Sequence, residues 1–292
     1  MDVTRGVFPA IVTPFDDEGN VDYDAYESNI RRLEDAGVDG IVPCGSTGES
    51  ATLTHEEHKK VVETAVEVAD KPVIAGTGSN STHEALELTK HAEEAGADAA
   101  LLISPYYNKP NDSGLTKHYE TVADETDIPL ILYNVPSRTG QNMSTDVVVE
   151  LAHHPSIVGI KEASGDINQI SELCRRTRDE EFEVVSGDDA MTLPLMSVGG
   201  SGVISVVANI FPEAMCDLVS ACDEGDYDEA RDLHHELLPV FDAMFVETNP
   251  IPVKKAMEVL GYSGSGLRLP LDDISDENAE VVRDAVEGFE ND

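Results

Sequence analysis

Eight short apolar, β-branched runs alternate with longer amphipathic stretches, and that alternation leaves few folds open to the chain. The runs fall at 7–13, 40–43, 73–76, 99–104, 130–134, 158–162, 183–186 and 203–206. Helical patterns fill the intervals, at 23–36, 54–69, 81–95, 114–126, 144–153, 167–178 and 190–198. Two of them begin with a capping-box order, Thr54 to Glu57 and Ser81 to Glu84. Eight β-then-α units in series predict an α/β fold of the (β/α)8 TIM-barrel type. An open doubly wound sheet is the alternative, but its GxGxxG fingerprint does not follow the first strand. After the eighth run the pattern is helical only, at 211–224, 227–246, 250–260 and 276–288, which predicts a C-terminal helical extension. The expected division is a barrel catalytic domain over 1–225 and a C-terminal helical region over 226–292.

Charge narrows the partners. The chain carries 58 Asp and Glu against 19 Lys and Arg, a net charge of -39. A globule of this length exposes roughly 12,000 Å², or one net negative charge per roughly 300 Å². Such a surface repels nucleic-acid phosphates and anionic lipid. With 40% hydrophobic residues the chain should nonetheless fold. The acids lie beside apolar residues on helix after helix, so they are a surface property and not a tail. Molar salt would screen their mutual repulsion, which suggests a high-salt cytoplasm. An ordinary acidic protein with a basic partner is the other reading. No apolar stretch approaches the roughly 20 residues of a membrane span. The first ten residues lack a signal peptide's basic start and apolar run, so a cytoplasmic location is expected. Cys44, Cys174, Cys216 and Cys222 form no CxxC pair and fit a reducing compartment.

In a barrel of this kind the strand C-termini carry the chemistry. Lys161 ends the sixth run. Burial at the barrel mouth would favour its neutral amine and bring its pKa from about 10.4 toward 7–8, which suits attack on a carbonyl carbon. Pairing with a carboxylate such as Glu162 is the plainer explanation. Tyr133 ends the fifth run and offers a hydroxyl for proton transfer, or simply a packed ring with its hydroxyl satisfied. Arg138, in the following loop, is a bidentate fork for a carboxylate or else a surface ion pair. The second run ends in Gly-Ser-Thr-Gly-Glu-Ser from Gly45, where Ser46 and Thr47 suit a small carboxylate. No Lys-Ser/Thr follows, so it is not a P-loop. The set suits an aldehyde or keto-acid substrate bearing carboxylates. His55 and His58 have a spacing that can bind metal, but nothing completes a site, so no catalytic metal is expected.

Several motifs in this order resemble the dihydrodipicolinate synthase family, among the pyruvate-dependent class I aldolases that include N-acetylneuraminate lyase. They are Ala-Ile-Val-Thr-Pro-Phe from Ala10, the Gly45 loop, Pro-Tyr-Tyr-Asn from Pro105, Tyr-Asn-Val-Pro-Ser-Arg-Thr-Gly from Tyr133, Gly-Ile-Lys-Glu from Gly159, Ser-Gly-Asp-Asp from Ser186, Gly-Val-Ile-Ser-Val from Gly202 and Asn-Pro-Ile-Pro-Val-Lys-Lys-Ala from Asn249. The resemblance covers nearly the whole chain. It implies condensation of pyruvate with L-aspartate 4-semialdehyde, on the diaminopimelate route to lysine, through a covalent Schiff base and without an external cofactor.

The same resemblance assigns residues. Lys161 is the implied Schiff-base lysine. Ser46, Tyr133 and Tyr107 are the implied proton relay, with Tyr107 reaching in from a neighbouring subunit of a homotetramer built as a dimer of dimers. Thr47 and the adjacent amides would hold pyruvate's carboxylate, and Arg138 that of the semialdehyde. Gly187 and Ile204 match backbone positions near the lysine. Serine at 46 stands where the family often has threonine; it keeps the hydroxyl but loses the methyl that restricts the rotamer. In lysine-inhibited members an effector site corresponds to Ala51, His55, His58, Asn80, Glu84 and Tyr106. The nearest rival is a sibling lyase acting on a 2-keto-3-deoxy sugar acid or N-acetylneuraminate, and Arg138 favours the short acid aldehyde.

Overall fold

The computed structural model describes residues 3–291. Among these residues seven strands form one all-parallel sheet: β1 (Gly6–Pro9), β2 (Ile74–Gly76), β3 (Ala99–Ile103), β4 (Leu130–Asn134), β5 (Ile157–Glu162), β6 (Glu183–Ser186) and β7 (Gly202–Ser205). Their order is β1-β7-β6-β5-β4-β3-β2, so β2 to β7 follow one another in chain order and β1 lies beside β7, with β1 and β2 at the two edges. Helices occupy the connections, as parallel pairing demands.

The second expected strand, 40–43, is not a strand. It makes one parallel bridge on each side, Ala10 to Val42 and Ile41 to Val73. Val42 N–H donates to the Pro9 carbonyl at 2.8 Å, and Ile74 N–H donates to that of Ile41 at 2.9 Å. The segment thus hydrogen-bonds toward both edges of the sheet. Pro9, Pro43 and Pro72 surround it, and each lacks the N–H a longer ladder would use. The same shortage ends β1 at Pro9, four residues before the apolar run stops.

Side chains alternate between two layers, because successive residues of a strand point to opposite faces. Phe8, Leu101, Ile131, Tyr133, Val185 and Ile204 pack together in one cluster. Val7, Ala100, Leu102, Leu132, Ile160, Val184 and Val203 belong to the larger cluster shared with the helices. Lys161 lies in register with Tyr133 on β4 and Val185 on β6, which places it on the smaller, inner layer. Glu162 belongs to the opposite face.

Helix ends follow the sequence in part. Thr54 and Glu57 form the reciprocal capping box. Ser81 accepts from Glu84 N–H, but the Glu84 carboxylate goes elsewhere, to the Ser79 hydroxyl and His55. Beyond β7 the helices are Pro212–Glu224, Tyr227–Ala243, Ile251–Val259 and Asp276–Asn291. No helix among the described residues is long and apolar enough to cross a membrane.

Candidate active site

Lys161 sits at the C-terminal end of β5 and is only 5% exposed. Its Nζ lies 4.5 Å from the centre of the Tyr133 ring. Burial lowers its pKa to about 7; the buried Asp189 carboxylate opposes that shift and the Arg138 charge reinforces it. Desolvation therefore outweighs the attraction of that carboxylate, and a substantial fraction of the amine is neutral near pH 7.

Glu162 does not pair with this lysine. Its carboxylate accepts from Asn134 Nδ2 at 3.0 and 3.1 Å, from Ser164 N–H at 2.7 Å and from Gln169 Nε2 at 3.3 Å. The strand pleat decides the matter: residues 161 and 162 face opposite layers. The same network holds Asn134, the neighbour of Tyr133, so it stiffens the end of β4 as well.

Tyr133 is likewise buried, and its pKa is pushed up to about 12. Burial is the main cause; the Arg138 charge and a hydrogen bond with Ser46 partly offset it. The phenol stays protonated across the neutral range and can donate. Ser46 comes from the loop after segment 40–43. Next to it, the buried Thr47 Oγ1 accepts from Asn249 Nδ2 at 2.9 Å. Arg138 lies on a short helix, Pro136–Thr139, that the sequence pattern does not announce. Its Nη2 donates to the Asn249 carbonyl at 2.7 Å, and the residue remains exposed.

Gly187 is required where it stands. A Cβ there would come within 2.8 Å of Lys161 Cε and 2.9 Å of Ala163 Cβ. Ile204 is buried beside the inner layer and pairs with Phe8. Asp189, unassigned by sequence reasoning, is fully enclosed. It accepts from Ser205 Oγ at 2.5 Å, Val206 N–H at 3.0 Å and Val207 N–H at 3.3 Å. Burial still lifts its pKa to about 6. Its signal was the Ser-Gly-Asp-Asp motif, whose second aspartate ties the ends of β6 and β7 together.

Tyr107 does not join this group within the chain. It is 91% exposed, with φ at 67°.

A cavity of about 590 Å³ opens beside Tyr133, Ser46 and Arg138 and runs on to Ala51, His55, His58, Glu84 and Tyr106. Lys161 is not on its wall; the Tyr133 ring is. Asn80 also lies off the wall, and its carbonyl accepts from Asn108 Nδ2 at 3.1 Å. The two histidines part company. His55 Nε2 meets Glu84 Oε1 at 2.9 Å, whereas His58 is buried and donates Nε2–H to the Gly76 carbonyl at 2.8 Å. Burial lowers the His58 pKa to about 4, so its ring is neutral. No group of three or more His, Cys, Asp or Glu side chains among the described residues could hold a metal ion.

A family model described as the dihydrodipicolinate synthetase family matches residues 3–288. The 4-hydroxy-tetrahydrodipicolinate synthase of Haloarcula marismortui is 59% identical over 287 residues, covering 98% of this chain and 94% of that protein. The chloride-inhibited dihydrodipicolinate synthase of Acinetobacter baumannii, solved in complex with pyruvate, superposes with a TM-score of 0.96 at 43% identity, covering 99% of both chains. The enzyme of Cyanidioschyzon merolae, solved with lysine bound, gives a TM-score of 0.94 at 41% identity, covering 98% of both chains.

Proposed function

The chain belongs to the dihydrodipicolinate synthetase family, and from that premise we propose how its own residues carry the family's reaction. Its activity is that of a 4-hydroxy-tetrahydrodipicolinate synthase, a lyase that condenses pyruvate with L-aspartate 4-semialdehyde on the diaminopimelate route to lysine. The observation that carries the mechanism is Lys161: a buried amine with a pKa of about 7, facing Tyr133 at the end of a parallel strand.

The neutral Lys161 amine attacks the pyruvate carbonyl, and water leaves as the imine forms. The imine draws electrons from the methyl carbon, so a methyl proton departs and an enamine results. The enamine carbon attacks the aldehyde carbon of the semialdehyde, whose oxygen takes a proton from Tyr133. Ser46, hydrogen-bonded to Tyr133, passes the proton on. The product's own amine then attacks the imine carbon, closes the ring and releases Lys161. Thr47 and the amides of its loop hold the pyruvate carboxylate. Arg138 holds the second carboxylate. Gly187 and Ile204 shape the space around the lysine, and no external cofactor takes part.

Three wider proposals rest on the same residues. The bridges at 40–43 complete an eight-stranded barrel, against which the helices of 226–292 pack as an extension. The exposed Tyr107 enters the site of a neighbouring subunit in a homotetramer. L-Lysine binds the far arm of the cavity, with its ammonium on Glu84 and its carboxylate on Tyr106.

One coupled assay tests substrate and effector. Turnover is expected with aspartate semialdehyde and not with a panel of keto-deoxy sugar acids; the reverse preference would establish the sibling lyase. L-Lysine titrated in the same assay is expected to slow the initial rate, and a flat response to tens of millimolar rejects the effector site.

The charge also has a proposed meaning. The accessible surface is 12313 Å² and carries nearly all of the chain's excess of 39 negative charges. We place the enzyme in a high-salt cytoplasm. At about 1 M salt the Debye length is near 3 Å, shorter than the spacing of these charges. The melting temperature is expected to rise between low and molar KCl. A melting temperature that stays level or falls counts against this placement.

A further inference from the structure

One buried ion pair plays no part in the chemistry described above. Lys254, on the helix Ile251–Val259, contacts Glu49 Oε1, and both side chains are wholly inaccessible. Lys254 Nζ also donates to the Gly266 carbonyl at 2.8 Å and stands 4.3 Å from the centre of the Phe15 ring. Glu49 Oε2 accepts from Arg268 N–H at 3.3 Å. Two charges taken out of water are a poor device for stability alone, since an apolar pair of similar volume often does as well or better.

The location of the pair is informative. Glu49 closes the loop that carries Ser46 and Thr47. That loop begins and ends on non-glycine residues in the left-handed region, Cys44 at φ 54° and Glu49 at φ 52°. Such residues persist only where their surroundings hold them. From within the barrel the Gly48 carbonyl accepts from Thr13 Oγ1 at 2.7 Å. From outside, the C-terminal region supplies the rest. Asn249 grips Thr47 and Arg138, and five residues later Lys254 grips Glu49. A single stretch, residues 249–254, therefore touches three points around the cavity.

We propose that Glu49, Asn249 and Lys254 are positioning residues that set the Ser46–Thr47 loop against Tyr133 and Arg138. The C-terminal helical region is thereby part of the substrate-binding geometry as well as a packing layer. The inference rests on the reading that Lys161 binds pyruvate. It assigns no proton transfer or substrate contact to Lys254 itself.

The test compares wild-type enzyme with a Glu49→Leu/Lys254→Met double variant and with Asn249→Ala. Melting temperature, pyruvate KM, kcat and borohydride trapping of pyruvate on Lys161 are measured for each. The double variant is expected to melt within a few degrees of wild type and to keep trapping at saturating pyruvate. Its pyruvate KM rises about tenfold as the carboxylate contacts loosen. Its kcat falls roughly 10²-fold, the cost of displacing a positioned group by about 1 Å. Asn249→Ala moves both constants the same way. A double variant that melts normally with unchanged KM and kcat overturns the proposal. If that variant does not fold, Asn249→Ala alone decides, and unchanged constants there overturn it too. Failure of the underlying reading looks different: the wild-type enzyme itself would not be labelled.

Discussion

Lys161→Met is expected to abolish condensation, with a loss in kcat of at least about 10³-fold, while making the folded chain more stable. The two effects have one origin. The wild-type amine is held in a desolvated place that disfavours its charge. Its folded pKa of about 7 lies far below the ordinary lysine value of 10.5. Between those values the unfolded chain binds the proton and the folded one does not, so stability rises with pH across that window. Below about pH 7 the penalty of burying this lysine is fully present. Methionine has no such penalty and a similar shape. The rise in melting temperature on Lys161→Met should therefore be larger at pH 6 than at pH 10. Calorimetric melts at the two pH values check this, and an equal or reversed difference would show that the amine is not desolvated.

The same pKa governs the rate. With pyruvate limiting, kcat/KM should climb with pH and level off above about 7, as the free enzyme's amine becomes neutral. The acidic surface pulls the other way, since a negative field favours the ammonium. Raising the salt should move the start of the plateau to lower pH.

Tyr133→Phe is expected to lower kcat by roughly 10²–10⁴-fold, the range for removing a positioned proton donor. It should not prevent the imine. The ring that covers Lys161 remains, so the lysine stays buried and its shifted pKa survives. What disappears is the hydroxyl that burial keeps protonated and that Ser46 contacts. Borohydride labelling of Lys161 at saturating pyruvate should therefore persist in this variant while product formation nearly stops. A phenylalanine variant with more than a tenth of wild-type turnover would remove Tyr133 from the proton path. A variant that neither turns over nor traps pyruvate would make the tyrosine part of imine formation itself.

Much of this site was legible before any fold was drawn. A lysine closing an apolar strand and a tyrosine closing the preceding one are properties of local sequence. The strand period of two then places residues 161 and 133 on one face and residue 162 on the other. What could not be read was contact between distant segments. The hold of Asn249 on Thr47 spans 202 positions, and nothing in either motif names the other. Asp189 is similar: the doubled aspartate is visible, but its enclosure by Ser205, Val206 and Val207 depends on the neighbouring strand. Segment 40–43 looked like a strand because its composition is right, yet prolines on three sides thin its ladder to single bridges. Arg138 was found by its chemistry although its short helix was not. The His55–His58 spacing did not show how each ring is held: both line the cavity, but His58 is turned onto the Gly76 carbonyl and His55 onto Glu84.

Trapping the wild-type enzyme with pyruvate and borohydride, followed by peptide mapping, tests the central claim most directly. The account predicts one pyruvate-derived adduct per chain, on Lys161, whose formation follows a group titrating near pH 7 and which is missing from Lys161→Met. Full activity with no adduct, or an adduct on any other lysine, would contradict it.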